Sequence, residues 1–476
     1  MIWISRLYRS GGSVKQNLFQ KCLGAFAHFS QTDTDIILYG SSAIFAAMTV
    51  LTAVSSDYRI WGLIAGFSYL AGCVASVVLK IFSKKISHNQ SQITTGELIP
   101  QPSKQYEASD HLSVGRINLF RYLLMALVFL SSLVIPLTAE LIFRANANPG
   151  ANAQSEVAVI ERAGDRLMSG HDLYLRNPTS VGVSPHSDNK SIDASSYFPY
   201  FPTMALFGIL NSSSLPPEFG DARFLFSLFT LLVSIYAIGQ FDIPFSGKAR
   251  IFQIFLVLPL GTLPLVTGGD DLPVLAMMLL GLILAARGKP LSSGLVMGIA
   301  STLKFTSWPL VFLACFVLRD KNDKTSYKKF LAMVLVVLVP VLFIGILPNS
   351  QAFVTNVIRF PLGISKISSP AASPLLGQVL VSIFPSEKKN ITYLLLLIGV
   401  LLVVAAFYKY RPKSVADAAK FAAFVMFLAT ILAPATRFGY LIYPVNLFVW
   451  GYFLSPNTRK NPSLESEDTQ LASLIS

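Results

Sequence analysis

Residues 291–318 read LSSGLVMGIASTLKFTSWPLVFLACFVL, an apolar stretch of 28 residues that contains a single charge, Lys304. A lysine at the centre of a bilayer costs about 2.5–3.5 kcal/mol even on insertion-based scales. The apolar segments on either side of it, 291–304 and 306–318, are each shorter than the roughly 20 residues that span the hydrocarbon core. We therefore expect two short helices joined by a tight turn, which dips into one leaflet and holds Lys304 near the membrane surface.

The composition indicates a polytopic membrane protein. The chain is 53% hydrophobic and 13% charged, whereas a soluble domain carries about 25% charged residues. Apolar runs recur along most of the chain and predict an all-α fold with about twelve transmembrane helices. These predicted helices are 36–54, 60–82, 117–143, 222–240, 251–267, 271–286, 291–304, 306–318, 330–347, 391–408, 417–434 and 440–455.

The basic residues predict how the helices are oriented. With an even number of helices, both termini lie on one side of the membrane. If that side is the cytoplasm, 25 of the 38 Lys and Arg residues fall in inside segments, as expected from the excess of Lys and Arg in cytoplasmic loops. The net charge of +13 therefore indicates orientation in a plasma membrane rather than binding of nucleic acid.

The predicted spans divide the chain into five parts. These are a cytoplasmic N-terminal segment 1–35, an accessory transmembrane hairpin 36–82, a polar cytoplasmic linker 83–116, a core 117–455 and a disordered cytoplasmic tail 456–476. The core includes two large outer loops, 144–221 and 348–390.

Charged residues collect on the predicted outer face of the core. Lys304 is either a lysine that reaches out to the aqueous interface or a cation held to meet an anion such as a lipid phosphate. Asp270 and Asp271 are adjacent at a Gly-Gly break, so they are either a solvated helix cap or require a cation or ligand. Arg437 lies in the Pro- and Gly-broken stretch ILAPATRFGYLIYP, where it is either an interfacial anchor or part of a site.

The first outer loop has features of a functional segment, because loops of this length are uncommon without a function. Its stretch QSEVAVIERAGDRLMSGHDLY predicts an amphipathic surface helix that ends at Gly170, with Glu156 at its start. SSYFPYFPTMALFGIL, which contains Tyr197, predicts a second, shorter interfacial helix. In the other outer loop, Arg359 and Lys366 lie beside a turn rich in Pro, Ser and Gly.

In this order, these stretches resemble the polyprenyl-phosphate-dependent membrane glycosyltransferases of the GT-C fold. The nearest resemblance is to glycosyltransferase family 87, in a branch common in actinobacteria. It covers about residues 117–455 and is carried by SEVAVIERAGDRLMSGHDLY, YFPYFPTMALFG, GDARF, LPLVTGGDDLPVLAMMLLGL, GLVMGIASTLKFTSWP, RFPLGISKISSPAASPLLG and APATRFGYLIYP.

The resemblance implies the transfer of one sugar, most simply of mannose type, from a polyprenyl-phosphate donor to an acceptor on the outer face, with inversion. The family's catalytic acid stands about fourteen residues before a Gly, and counting back from Gly170 gives Glu156. The family more often has Asp at this position. Asp165, Asp172 and the pair Asp270 and Asp271 are therefore alternative catalytic acids.

Chemical requirements lead to the same set of residues. An inverting transfer needs a carboxylate that removes the proton of the acceptor hydroxyl, and a lipid phosphate leaving group needs positive charge. We expect Glu156, with Asp270 and Asp271, to be catalytic, the two aspartates also being candidates for binding sugar hydroxyls or a divalent ion. Substrate-binding residues are predicted to be Lys304, Arg437, Arg223, Tyr197, Arg359 and Lys366, with no metal or cofactor required.

Two other functions fit the same pattern. Broken helices and intramembrane charges are typical of secondary transporters, although no internal repeat is evident in the two halves. A protein that handles a polyprenyl lipid carrier without transferring a sugar would need the same phosphate-binding residues. The expected acceptor of the transferred sugar is a glycolipid, a polysaccharide or a protein.

Overall fold

A computed structural model describes residues 30–96, 104–146, 153–174, 196–319, 325–365 and 369–456. Over these ranges the chain is helical and contains no strand beyond one isolated bridge between Ala372 and Thr436. The fold is therefore an all-α polytopic membrane fold, as the sequence predicts.

Eighteen α-helices are numbered here in chain order over the described residues. They are α1 Gln31–Thr52, α2 Ser56–Gly96, α3 Lys104–Phe129, α4 Ile135–Ala145, α5 Ser155–Met168, α6 Pro217–Gly220, α7 Ala222–Gly239, α8 Phe245–Phe252, α9 Pro259–Thr267, α10 Asp271–Ala286, α11 Pro290–Leu303, α12 Trp308–Arg319, α13 Ser326–Ile346, α14 Ser350–Phe353, α15 Leu376–Ile383, α16 Lys388–Lys409, α17 Val415–Leu432 and α18 Ile442–Phe453.

Shorter helical turns extend or join several of these helices. Single π-turns connect α3 to α4 and α8 to α9, and a third follows α14. The turns are Leu130–Val134, Gln253–Val257 and Val354–Arg359, and the 3₁₀ helices are Pro202–Gly208, Phe305–Ser307, Pro385–Glu387 and Phe438–Leu441.

Each of the twelve predicted spans coincides with a helical segment, but these helical segments differ in length. Eight helical segments of the described residues are long and apolar enough to cross a membrane, among them Ser326–Ile346 and Pro385–Lys409. Asp271–Ala286, Pro290–Leu303 and Phe305–Arg319 are shorter apolar helices, and α18 has 12 residues. The prediction of two short helices around Lys304 is thus correct, while the number of complete crossings stays a prediction.

Helix extends into the predicted linker 83–116 from both sides. Helix α2 continues to Gly96 and α3 begins at Lys104, so most of this polar stretch is helical. The physical reason is that an existing helix lengthens one residue at a time without the cost of a new nucleus. Polar residues after a long apolar span therefore continue its helix.

The first helical hairpin packs directly on the core. Tyr69 of α2 is fully buried and donates its hydroxyl to the carbonyl of Val257, at 2.7 Å, and it lies 2.9 Å from the Thr262 hydroxyl. A buried tyrosine needs such a partner for its hydroxyl. The contact attaches the hairpin at the kink between α8 and α9, where the π-turn leaves a carbonyl available.

The predicted amphipathic helix is α5, and it packs on the 3₁₀ helix Pro202–Gly208. Two glycines allow this contact: a Cβ on Gly208 would lie 2.1 Å from the carbonyl oxygen of Ile160, and one on Gly164 would lie 2.2 Å from the Gly208 carbonyl carbon. The backbones therefore touch. The stretch predicted as a second, shorter interfacial helix forms the 3₁₀ helix Pro202–Gly208, most of which is buried while Leu206 is exposed.

Candidate active site

The central feature of the candidate site is the break between α11 and α12. Lys304 has extended backbone angles there (φ −147°, ψ 147°) and is 9% exposed. Its ammonium lies 2.6 Å from Oδ1 of Asp270 and 2.6 Å from Oδ1 of Asp271. Lys304 therefore does not extend to the aqueous interface, because its ammonium and the carboxylates that it contacts all lie inside the protein.

The two aspartates come from the turn between α9 and α10. Asp271 is the first residue of α10, and Asp270 precedes it without making a side-chain capping hydrogen bond. Asp270 is 4% exposed, so it is not a solvated helix cap. Helices α10 and α11 form an antiparallel hairpin, which returns the chain to the same end of the fold and places Lys304 beside both carboxylates.

Aromatic side chains enclose this cluster of Lys304, Asp270 and Asp271. Tyr443 of α18 donates its hydroxyl to Oδ1 of Asp271, at 2.7 Å. Lys304 lies over the ring of Tyr200, 5.1 Å from its centroid, which is within the range of a cation–π contact.

One carboxylate oxygen of the cluster has no protein partner. Oδ2 of Asp270 is buried and accepts no hydrogen bond within the described part of the chain. Burial raises the pKa of Asp270 and adjacent Asp271 raises it further, while Lys304 opposes the shift. A buried, unpaired acceptor is costly unless a ligand or water satisfies it, so this oxygen is a candidate contact for a substrate hydroxyl.

A second ion pair lies at a more open position. Glu156 in the first turn of α5 accepts from Nη1 of Arg437, with Oε1 and Nη1 2.6 Å apart, and the two side chains are 19% and 31% exposed. Burial alone would lower the pKa of Arg437. The neighbouring Glu156 carboxylate outweighs this effect and raises the pKa above its ordinary value. Both groups are accessible to a ligand, in contrast to Lys304.

The short segment from Arg437 to Tyr443 joins the two charge clusters into one site. Arg437 pairs with Glu156, and Tyr443 donates its hydroxyl to Asp271. The half-buried Tyr440 lies between these two residues in the sequence. The site contains three carboxylates and two cations from four separate stretches of the sequence.

The second outer loop reaches the same region through backbone pairing. The Thr436 amide donates to the Ala371 carbonyl at 3.0 Å, and the Ser373 amide donates to the Thr436 carbonyl at 2.9 Å. The loop rich in Pro and Ser therefore lies directly beside Arg437.

The other predicted substrate-binding residues are not part of the clusters around Lys304 and Arg437. Arg359 is exposed, and Tyr197 stacks on Phe360 with ring centroids 4.4 Å apart. Arg223 is fully buried and donates to Asp221 at 2.8 Å and to the Val266 carbonyl at 3.0 Å. It therefore supports the turn that carries Asp270 from behind. Lys366 lies outside the described residues.

Two alternative catalytic acids have local structural partners. Asp165 accepts from the Asn211 amide at 2.8 Å and from the Ser212 hydroxyl. Asp172 accepts from the backbone amide of Tyr174 at 3.0 Å. Neither contacts the clusters around Lys304 and Arg437.

Sequence reasoning missed the aromatic residues of the site. Tyr200, Tyr440 and Tyr443 occur in YFPYFP and RFGYLIYP, so the repeated Tyr and Pro in these two stretches were the available signal. In the part of the chain that the structure describes, no group of three or more His, Cys, Asp or Glu residues is arranged to hold a metal ion.

Fold and site together define a polytopic membrane protein with a buried charge cluster at a broken helix. The family model for glycosyltransferase family 87 matches residues 198–434, so the chain is similar to glycosyltransferase family 87 over this range. This confirms the family resemblance stated from the sequence.

Among solved structures, a match is found to the crystal structure of ArnT from Cupriavidus metallidurans bound to undecaprenyl phosphate, with 17% sequence identity and a TM-score of 0.42. The match covers 68% of this chain and 58% of that chain, so this chain spans less than two thirds of that protein's length. No curated protein matches the chain significantly.

Proposed function

We propose that this protein is a membrane glycosyltransferase, which moves one sugar from a polyprenyl-phosphate donor to an acceptor hydroxyl with inversion. The family 87 match over residues 198–434 supports the transferase class. The observation that carries the proposal is the accessible pair of Glu156 and Arg437, 2.6 Å apart, next to the buried cluster of Lys304 with two aspartates. The proposed base Glu156, the cation Arg437 and the carboxylates proposed to bind sugar hydroxyls thus lie in one site.

In this proposal Glu156 removes the proton from the acceptor hydroxyl as that oxygen attacks the anomeric carbon. The bond from this carbon to the donor phosphate breaks, and the phosphate leaves with the bonding electrons. A positioned carboxylate of this kind contributes about 10²–10⁴-fold to the rate. Binding of the donor phosphate to Arg437 frees Glu156 from its ion pair, so that it becomes available as a base.

Positive charge at the leaving phosphate comes from Arg437 and Lys304. Such preorganised charge stabilises the transition state most strongly where water is excluded. Because Lys304 is already balanced by two carboxylates, we assign the larger part of the phosphate contact to Arg437. Asp270 and Asp271 then bind hydroxyls of the transferred sugar, with the unpaired Oδ2 of Asp270 as the first acceptor.

The sugar, the acceptor and the membrane side belong to the proposal as well. We propose a mannose-type hexose or a pentose as the sugar, and a glycolipid, polysaccharide or protein as the acceptor. The distribution of Lys and Arg supports a site facing outward from the plasma membrane, with both termini in the cytoplasm.

The test is sugar transfer in membranes that contain the wild type or Glu156→Gln. With radiolabelled polyprenyl-phosphate mannose, glucose and arabinose as donors, we expect the wild type to label lipid or polymer. Glu156→Gln should transfer at least about 10²-fold more slowly. Asp165→Asn is the matched control, because it makes the same change on the same helix, where the carboxylate is held by Asn211.

The alternative outcomes are distinct. Equal transfer by the wild type and Glu156→Gln would move the base to Asp270 or Asp271. Binding of the labelled donor without turnover would support a lipid-carrier protein, and absence of both binding and transfer with all three donors would support a transporter.

A further inference from the structure

The first helical hairpin, formed by α1 and α2, reaches the candidate active site through one side chain. Tyr58 is in the first turn of α2, and its hydroxyl accepts a hydrogen bond from Nε2 of Gln154, with the two atoms 2.6 Å apart. Gln154 immediately precedes α5 and is two residues before Glu156, the proposed base. The residues that match glycosyltransferase family 87 begin at 198, so this contact lies outside the matched range.

The Gln154 side chain also contacts the end of α9, close to Asp270. Nε2 donates to Oγ1 of Thr267 at 2.8 Å, and the Gln154 backbone amide donates to the Thr267 carbonyl at 2.9 Å. The Thr267 hydroxyl itself donates to the Leu263 carbonyl at 2.9 Å, so its oxygen acts as the acceptor towards Gln154. The two amide hydrogens of Gln154 are therefore both used, one for the hairpin and one for α9.

The start of α5 packs tightly on the residue that follows Thr267. Gly268 has a φ of 107°, and a Cβ on it would lie 2.1 Å from Cγ2 of Val157. Val157 directly follows Glu156 in the sequence and is fully buried. Gln154 and Val157 thus attach the segment that carries Glu156 to the turn that leads to Asp270.

We propose that Tyr58 is a positioning residue for sugar transfer, which acts through Gln154 to fix Glu156 relative to Asp270. This role rests on the proposed function, in which Glu156 is the base. Without the Tyr58 hydroxyl, one amide hydrogen of Gln154 loses its acceptor, and the start of α5 is held less firmly. A displacement of about 1 Å at a reacting group can slow a reaction by about 10²-fold, so a hydrogen bond two residues from the base affects the rate.

Tyr58→Phe removes only the hydroxyl, and Tyr69→Phe is its matched control. Tyr69 lies on the same helix and also contacts the core through its hydroxyl, but its partners are the Val257 carbonyl and Thr262. We expect Tyr58→Phe to lower kcat about tenfold with little change in the KM of the donor, because one hydrogen bond that orients the base is lost. Tyr69→Phe should lower the unfolding temperature while kcat and KM stay close to the wild-type values.

Gln154→Leu and the double variant with Tyr58→Phe test whether Tyr58 acts through Gln154. Substitutions of residues that act through one another have non-additive effects, whereas the effects of independent residues multiply in the rate. We expect the double variant to transfer no more slowly than Gln154→Leu alone. A rate that falls by the product of the two single effects would overturn the route through Gln154.

Hydrogen exchange tests the same contact without sugar transfer. The backbone amides of Gln154 and Val157 are both hydrogen-bonded, and the peptide that contains them should exchange faster in Tyr58→Phe than in the wild type or Tyr69→Phe. Unchanged exchange in Tyr58→Phe would overturn the role of Tyr58, as would wild-type kcat in this variant when Glu156→Gln is inactive. If the wild type uses no donor although exchange is faster in Tyr58→Phe, the proposed function is wrong, whereas the attachment of α5 to the hairpin stands.

Discussion

The ammonium of Lys304 lies 2.6 Å from Oδ1 of Asp270, while Oδ2 of the same carboxylate is buried and has no hydrogen-bond partner among the described residues. One oxygen is thus fixed by a buried ion pair, and the other has unused hydrogen-bonding capacity. This arrangement explains why a lysine interrupts an apolar hairpin. Lys304 allows two adjacent carboxylates to be held in a site of low polarity, where they would otherwise repel each other.

The first prediction concerns Lys304→Met. The substitution leaves Asp270 and Asp271 without their cation, and removing one partner of a buried ion pair costs about 3–5 kcal/mol. We expect a clearly lower unfolding temperature of the purified protein in detergent, together with loss of sugar transfer. Lys248→Met is the control, because Lys248 is half-buried and its ammonium donates to the backbone carbonyl of Gly239, with no ion pair among the described residues. Equal stability of the two variants would show that the cluster contributes little to folding.

The second prediction is the pH dependence of transfer. Because burial raises the pKa of Asp270, the rate should fall on acidification with a midpoint above the ordinary carboxyl pKa of about 4. Asp270→Asn should transfer slowly and lose the part of this acidic limb that comes from Asp270, leaving only the part that comes from protonation of the proposed base Glu156, whereas Asp165→Asn should retain the whole limb. The measurement is the rate of transfer between about pH 4 and 8.

The sign of the stability change separates titration from acid unfolding. A carboxyl whose pKa is higher in the folded state binds its proton more tightly there than in the unfolded chain. When the pH falls through the interval between these two pKa values, the contribution of Asp270 to the free energy of unfolding therefore increases, and the folded state becomes more stable. Loss of transfer that coincides with unfolding would contradict the assignment to Asp270.

Much of the fold follows from the sequence, because apolar runs of about 20 residues specify a membrane helix locally. The short segments around Lys304 also predicted the broken hairpin. The partners of Lys304 were less evident. Asp270 and Asp271 are 34 and 33 residues away, and their approach depends on α10 and α11 having nearly equal lengths, 16 and 14 residues.

Arg223 shows what sequence reasoning could not predict. Its motif GDARF suggested a substrate-binding arginine, whereas the structure buries it fully against Asp221 and the Val266 carbonyl. Whether an arginine near a helix start faces a ligand or the interior depends on the neighbouring elements, which the local sequence does not specify. The same reason applies to Tyr443, which is brought to Asp271 only by the packing of α18.

The third prediction tests the backbone contact between α5 and the 3₁₀ helix. In Gly208→Ala the new Cβ would lie 2.1 Å from the Ile160 carbonyl oxygen, so the two helices must separate. Overpacking of this kind costs about 1–3 kcal/mol or more, and we expect lower stability and reduced transfer. Gly239→Ala, where a Cβ meets nothing within 4 Å, should behave like the wild type. Thermal unfolding of both variants is the measurement, and normal stability of Gly208→Ala would contradict the close packing.

The last prediction concerns how α5 is held in place. Arg144 donates to both carboxylate oxygens of Glu161, each at 2.6 Å, and to Asp221 at 2.7 Å. All three side chains are largely buried, and such a two-pronged pair fixes geometry as well as charge. Because Glu161 and Glu156 are on the same helix, this ion network determines where the proposed base lies relative to Arg437.

We therefore expect Arg144→Gln to loosen α5 and reduce transfer, at a cost of about 3–5 kcal/mol because buried Glu161 loses its cation, whereas Asp221 keeps its ion pair with Arg223. Hydrogen exchange of residues 155–168 should become faster than in the wild type. Arg144→Lys keeps the charge but cannot make the two-pronged contact, so it should restore stability in part and transfer less. Unchanged exchange in Arg144→Gln, with transfer at the wild-type rate, would show that α5 is positioned by its other contacts.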